Sequence, residues 1–351
     1  MRDVLLVEDF VPQSQLVVPE HHPERAKFPA VDAHVHLGQW GGRWAVEDVE
    51  ALIERMDRCN VRAMVNLDGG TGDQLKLNLE RYKEPYPNRF AVLMTPDWAT
   101  CTRPGWEEEL PRQLEEAIAA GADGMKIFKE LGLRVRDEAD DLLRVDDERL
   151  DPLWARAGEL RVPVLFHIAD PVAFFAPLDR FNERWDELHQ HPDWSFHHPQ
   201  YPTFMELMEQ QANLLAKHAE VTFQSAHVAS YAENLPWVGE LLDAHANLYV
   251  DISERIAELG RQPHTAREWF IKYQDRIVFG TDRPPLGPWY EIYFRFLETF
   301  DEYFPHGPEQ PPRQGRWNIY GVGLPDEVLE KIYCKNAEKI YPCLAERKAA
   351  T

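Results

Sequence analysis

The sequence predicts an α/β chain folded as one (β/α)8 TIM barrel, and three observations carry that expectation. Short apolar runs rich in β-branched residues recur eight times along the chain. Amphipathic stretches of helical spacing lie between them, so strand and helix alternate with a period of roughly 30 residues, as βα units do. No composition shift divides the 351 residues into two halves, and a doubly wound pair of domains would need fewer strands in each. The expected layout is an N-terminal arm over 1–28, a single barrel domain over 29–342 and a C-terminal tail over 343–351.

The arm is polar and carries prolines, and acids interrupt its one short apolar stretch at the start, which speaks against a signal peptide. The first strand is Val31-Asp32-Ala33-His34-Val35-His36-Leu37, ended by Gly38. Strict alternation would put Asp32, His34 and His36 on one face. Val49, Leu52, Ile53 and Met56 then mark a helix within 46–59. A second strand spans 61–67, closed by Asp68-Gly69-Gly70, and a third spans 89–95, stopped by Pro96. The helix over 106–120 ends at Gly121, a residue suited to the left-handed turn after a helix. A fourth strand at 124–128 and a helix at 150–160 lead to a fifth strand at 162–168, where Pro163 is tolerable near the strand start.

Between strands five and six lies the one wide insertion, from Asp170 to about Glu206. It is rich in aromatic and His residues, with Trp194 to Tyr201 suited to a lid, a pocket wall or a contact surface. A helix at 204–218, a strand at 220–227, a helix at 235–245 and strands at 247–251 and 276–282 complete the alternation. Helices through Phe300, a loop at Pro311-Pro312 and a last helical pair ending near Cys343 follow.

Composition excludes some functions. With 60 acidic against 38 basic residues the net charge is −22, which disfavours a phosphate-binding surface for nucleic acid and adhesion to anionic membranes. No apolar run is long enough to span a bilayer. Cys59, Cys101, Cys334 and Cys343 are scattered and form no CxxC pair. Four free thiols in a reducing, cytoplasmic setting is the expectation.

In a barrel enzyme the chemistry collects at the C-terminal ends of the strands. Here those ends carry His34 and His36, Lys126, His167, His227, Asp251 and Asp282. Singly, each has a plain reading: His167 as a hydrogen-bonded core residue, Asp251 as a helix cap. Together they are costly to bury without partners, and a shared cation would satisfy most of them at once.

These motifs resemble the amidohydrolase superfamily, most closely the amidohydrolase-related branch that includes aminocarboxymuconate-semialdehyde decarboxylase-like enzymes. The residues that carry the resemblance are Asp32-Ala33-His34-Val35-His36, His167, His227 and Gly280-Thr281-Asp282, and it covers the chain over 29–342. It implies that His34, His36, His167 and Asp282 hold one divalent metal and that His227, together with Asp282, serves catalysis. It also implies that Asp32 orients an imidazole from behind.

In binuclear members a strand-four Lys is carboxylated, whereas in the mononuclear branch it is not. Lys126 is accordingly expected to be unmodified, facing substrate or structural. Three imidazoles and a carboxylate suit Zn²⁺ first, with Mn²⁺ or Fe²⁺ as alternatives. Trp40, Arg43 and Arg283 are weaker candidates for substrate binding, an Arg there being able to grip a carboxylate bidentately.

The resulting expectation is a metal-dependent hydrolase in which activated water attacks a small carbonyl, amide, ester or lactone substrate. The alternative is non-oxidative decarboxylation of a small aromatic or unsaturated acid by the same site. A third reading is a non-catalytic barrel clamped by a structural metal. The complete ligand complement plus His227 favours catalysis, since a structural site would be closed. Small molecules are the expected partners, with no nucleic acid or membrane, and a homo-oligomer is compatible with the sequence.

Overall fold

A computed structural model describes residues 5–345; the first four residues of the expected arm and residues 346–351 of the expected tail lie outside the described residues. Eight parallel strands follow one another in sequence order. They are β1 (Ala30–Val35), β2 (Val61–Asn66), β3 (Phe90–Met94), β4 (Gly124–Ile127), β5 (Val164–Phe166), β6 (Phe223–Ser225), β7 (Leu248–Asp251) and β8 (Ile277–Val278). Each is followed by a helix that returns the chain to the start of the next strand. These are α1 (Val49–Cys59), α2 (Gly72–Asn78), α3 (Trp106–Ala120), α4 (Asp151–Leu160), α5 (Phe204–Lys217), α6 (Leu235–Ala244), α7 (Pro263–Lys272) and α8 (Trp289–Glu298). This is the expected (β/α)8 barrel.

Local sequence sets the helix bounds. Asp48 caps α1 by accepting from the Ala51 N–H at 3.1 Å, and Thr203 with Glu206 forms a reciprocal capping box at the start of α5. Gly121 closes α3 in the left-handed conformation, φ 115°. Inside the barrel, Val31, Ala33, Ala63, Val65, Ala91, Leu93, Leu165 and Val278 form one dry cluster. A larger apolar layer fills the space between strands and helices.

The first strand departs from the expected alternation. Its ladder with β2 shifts register between Asp32 and Val35, and such a step re-aims the residues that follow it. Val31 and Ala33 therefore face the barrel interior, and Asp32 faces the helix layer instead of sharing a face with His34. Asp32 accepts hydrogen bonds from the Thr281 N–H (3.0 Å), the Thr281 hydroxyl (2.7 Å) and the Tyr290 hydroxyl (3.0 Å).

Asp32 bonds no imidazole ring; it accepts the His34 N–H at 3.2 Å and stitches β1 to the chain leaving β8. Two backbone bonds close the same seam, Ala33 N–H to Phe279 C=O and Asp282 N–H to His34 C=O, both 2.9 Å. Gly280 makes this approach feasible, because a Cβ there would lie 2.9 Å from His34 Cβ.

Strands six and eight are shorter than the apolar runs suggest. After β6, His227, Val228, Ala229 and Ser230 all have positive φ, between 52° and 61°. A left-handed turn of non-glycine residues costs about 1–2 kcal/mol per residue, so the surroundings must impose it. Asp251 helps by accepting the His227 N–H at 2.9 Å, and Ser230 N–H returns to Ala226 C=O at 3.1 Å. Strand propensity gives way to the aim of one side chain, that of His227.

Over the barrel mouth, the insertion after β5 meets a C-terminal loop tethered by an antiparallel pair, Phe304–Pro305 with Asn318–Ile319. His306 is buried in that loop and its Nε2–H donates to the Gly315 carbonyl at 3.3 Å. Burial lowers the His306 pKa to about 4. A folded-state value below the unfolded one means the unfolded chain binds more protons in this window. The contribution is complete above the unfolded value, near 6.5, and fades as pH falls toward 4. Between pH 7 and pH 5 the stability lead of wild type over His306→Gln should shrink by about 2 kcal/mol, read from denaturant titrations. A lead that does not change with pH would contradict this.

Candidate metal centre

At the C-terminal ends of the strands, side chains converge on Asp282, itself in the left-handed conformation with φ 52°. His34 Nε2 lies 3.6 Å from Asp282 Oδ2, His227 Nε2 lies 3.7 Å from the same oxygen, and His36 Nε2 lies 3.3 Å from Oδ1. His34, His227 and Asp282 offer ligand atoms all within 4.8 Å of one another.

The opposite ring nitrogens are pinned from behind. His34 Nδ1 meets Asp251 Oδ2 at 3.0 Å, and His36 Nδ1 meets Asp68 Oδ1 at 2.6 Å. His227 Nδ1 donates to the Ser253 carbonyl at 2.9 Å. Each acceptor fixes its imidazole with the proton on Nδ1, leaving the Nε2 lone pair aimed at Asp282. Lone pairs and a carboxylate facing one another repel unless a cation lies among them.

The fit of a metal rests on that arrangement and on two orphaned atoms. Among the described residues, the buried imidazole nitrogens without a hydrogen-bond partner are Nε2 of His34 and Nε2 of His167. A buried ring nitrogen left unpaired is costly, and ligation is what would satisfy it. His167 stands beside His227, ring centroids 4.3 Å apart. Its Nε2 is 3.4 Å from Asp170 Oδ1, outside hydrogen-bonding geometry.

The electrostatics agree at His167 and His227. Burial lowers the His167 pKa to about 4 and takes His227 well below the ordinary value, so both are neutral, the form that ligates. Burial opposes the charged form of Asp251, yet the His34 imidazole and the Ser253 hydroxyl hold its carboxyl well below the usual range. At His36 burial works downward, and the Asp68 carboxylate outweighs it and raises the imidazole.

Lys126 is buried in the same region, its Nζ 4.9 Å from the Phe128 ring centroid. Burial lowers its pKa to about 8, with Asp282, Asp251 and Asp68 acting in the opposite sense.

Of the weaker candidates, Arg283 reaches the site. It pairs with Glu254, stacks over Trp289 at 3.8 Å and lines the cavity beside Asp282. Trp40 is 61% exposed and meets the His36 ring edge at 6.0 Å. Arg43 sits in the exposed hairpin Gln39–Trp40/Arg43–Trp44 and lines none of this cavity. The cluster of insertion histidines disperses: His189 stacks on Trp185 and His191 on Trp194, while His197 bonds the Phe175 carbonyl.

The cavity over the centre has a volume of about 200 Å³. Arg255, Arg313 and Lys129 join Arg283 on its walls, with Trp194 of the insertion. Lys129 Nζ lies 2.5 Å from Asp170 Oδ2. Motif reading overlooked Asp68, Asp170 and Ser253, and assigns Lys129 to the loop after the fourth strand, whereas it lines the cavity. Asp68 could have been found, since it too ends a strand; Arg313 arrives from the C-terminal loop without any local signal.

The sequence model of the Amidohydrolase family matches residues 97–343. No curated protein matches the chain. Among solved structures, 2,6-dihydroxybenzoate decarboxylase from Rhizobium is 15% identical, covering 90% of this chain and 99% of its own, with a TM-score of 0.55. The dihydroxybenzoic acid decarboxylase from Polaromonas sp. JS666, with bound manganese and 2-nitroresorcinol, is 14% identical over 86% of this chain and 87% of its own, TM-score 0.54. An uncharacterised TIM-barrel protein from Bordetella bronchiseptica is 18% identical over 85% and 83%, TM-score 0.51. At these identities the likeness is one of fold.

Proposed function

The chain belongs to the amidohydrolase superfamily of enzymes, and from that premise we propose that it is a metal-dependent hydrolase acting on a small carboxylic acid that carries an ester, amide or lactone. The observation that carries the reading is the set of imidazoles pinned at Nδ1 with Nε2 turned to Asp282. His34, His36, His167 and Asp282 would hold the divalent cation; Zn²⁺ suits this donor set, as do Mn²⁺ and Fe²⁺. Once bound, such a cation supplies Lewis-acid polarisation and makes water more acidic.

The protein's own groups do the rest. His227 has a lone pair at Nε2 and its proton on the far nitrogen, so it is poised to accept a proton at that atom. That favours water attack over protonation of carbon, which would need an Nε2 proton in place. Arg283, fixed by Glu254 and Trp289, would hold a substrate carboxylate, supported by Lys129 and Arg313. In a chain of net charge −22 the lining gathers Lys129, Arg184, Arg255, Arg283 and Arg313 beside Asp170, Glu187, Glu254 and Asp282, a concentration of guanidinium groups that suits an anionic ligand. The insertion and the C-terminal loop would exclude bulk water.

Decarboxylation is the second reading, favoured by the same anion-binding wall and by the two decarboxylases that share the fold. Isotopes separate them. With metal-loaded protein and a panel of small lactones, esters and hydroxy-aromatic acids, turnover in H₂¹⁸O should place ¹⁸O in a new carboxylate. Release of CO₂ with deuterium placed on carbon in D₂O would replace hydrolysis by decarboxylation.

A further inference from the structure

We propose that Ser253 is a positioning residue whose single hydroxyl holds the orientation of two imidazoles of the metal centre at once. The inference rests on the metal-centre reading above. Ser253 is fully buried after β7. Its Oγ lies 2.6 Å from Asp251 Oδ1, 3.0 Å from His34 Nδ1 and 2.9 Å from His227 Nδ1.

A serine hydroxyl has one proton and two acceptor positions. The ionised Asp251 can only accept, so the proton goes to Oδ1 and the short distance marks a charge-assisted bond. Both acceptor positions are then left for the two Nδ1–H groups. His227 Nδ1 must carry a proton in any case, because its other partner is the Ser253 carbonyl at 2.9 Å. His34 Nδ1 must carry one because its other partner is Asp251 Oδ2 at 3.0 Å. Donor and acceptor capacity at Oγ are filled with nothing left over.

One hydroxyl therefore ties together a group on β1, a group on the left-handed turn after β6 and the carboxylate ending β7. With both protons held at Nδ1, both Nε2 lone pairs face Asp282 Oδ2, at 3.6 and 3.7 Å. The plain alternative is that Ser253 merely shapes its own turn. That task belongs to the backbone: Ser253 N–H donates to Asp251 Oδ1 at 3.2 Å with or without the side chain. The hydroxyl is surplus to the turn, and its contacts point to the two rings.

The test uses the full-length protein, stripped by chelator and reloaded with Co²⁺ as the probe. Affinity is read by competition with a chromophoric chelator, geometry by the visible Co²⁺ spectrum, and folding by melting of the stripped protein. Ser253→Ala should bind Co²⁺ about 10–100-fold more weakly with an altered visible spectrum, while the stripped protein melts cooperatively. Ser253→Thr, which keeps the hydroxyl, should recover most of the affinity. Should Ser253→Ala fail to fold, Ser253→Cys, of similar size and a poor hydrogen-bond acceptor, takes its place with the same expectation. Wild type that binds no Co²⁺ would overturn the metal-centre reading itself. Wild-type affinity and spectrum in the Ala or Cys variant would overturn the role given to Ser253.

Discussion

Asp282→Asn is expected to lose the divalent cation and, with it, on the order of 10⁴ in turnover. Asn is the informative replacement because residue 282 has φ 52°, a conformation that Asn adopts more readily than Ala. The substitution keeps shape and backbone and removes the negative charge on which three Nε2 atoms converge. Metal content after gel filtration and the rate on any verified substrate are the measurements. An Asn variant that retains tight stoichiometric metal would show that Asp282 is not a ligand.

The second large effect separates His227 from His167. Their rings are 4.3 Å apart, so proximity to the centre does not distinguish them. His167→Asn removes one of the two orphaned buried imidazole nitrogens among the described residues and should lose metal and activity together. His227→Asn should keep the metal and the fold while turnover drops by roughly 10²–10⁴, the range for removing a general base. Here too Asn tolerates the left-handed backbone, φ 59°. The spacing of His34, His227 and Asp282 would also suit ligation by His227. In that event His227→Asn would lose its metal, and the proton acceptor would have to be sought elsewhere on the cavity wall.

Much of this was legible in the sequence because a barrel repeats one instruction. Apolar runs at βα intervals dictate eight strands, and polar residues that end those runs mark the catalytic rim. His34, His36, His167, His227 and Asp282 follow from that rule together with the motif. Asp32 did not, because a register shift between Asp32 and Val35 cancels the alternation on which a strand-face reading depends. The partners behind the imidazoles were harder to read. Asp251 looked like a helix cap, and its pairing with His34 joins residues 217 apart in sequence. The left-handed turn at His227–Ser230 has no signature in Val-Ala-Ser, since tertiary contacts impose it. Arg313 reaches the cavity from a Pro-rich loop whose path depends on the whole fold.

Metal stoichiometry with the state of Lys126 tests the central claim most directly. Protein reloaded with Zn²⁺ or Mn²⁺ and freed of excess should hold one cation per chain by elemental analysis, with no carbamate ¹³C NMR signal at Lys126 after incubation with ¹³C-bicarbonate. The His36→Ala variant should lose tight binding. Two cations per chain with Lys126 carboxylated, or full occupancy retained in His36→Ala, would contradict a single cation held between Asp282 and the imidazoles of His34, His36 and His167.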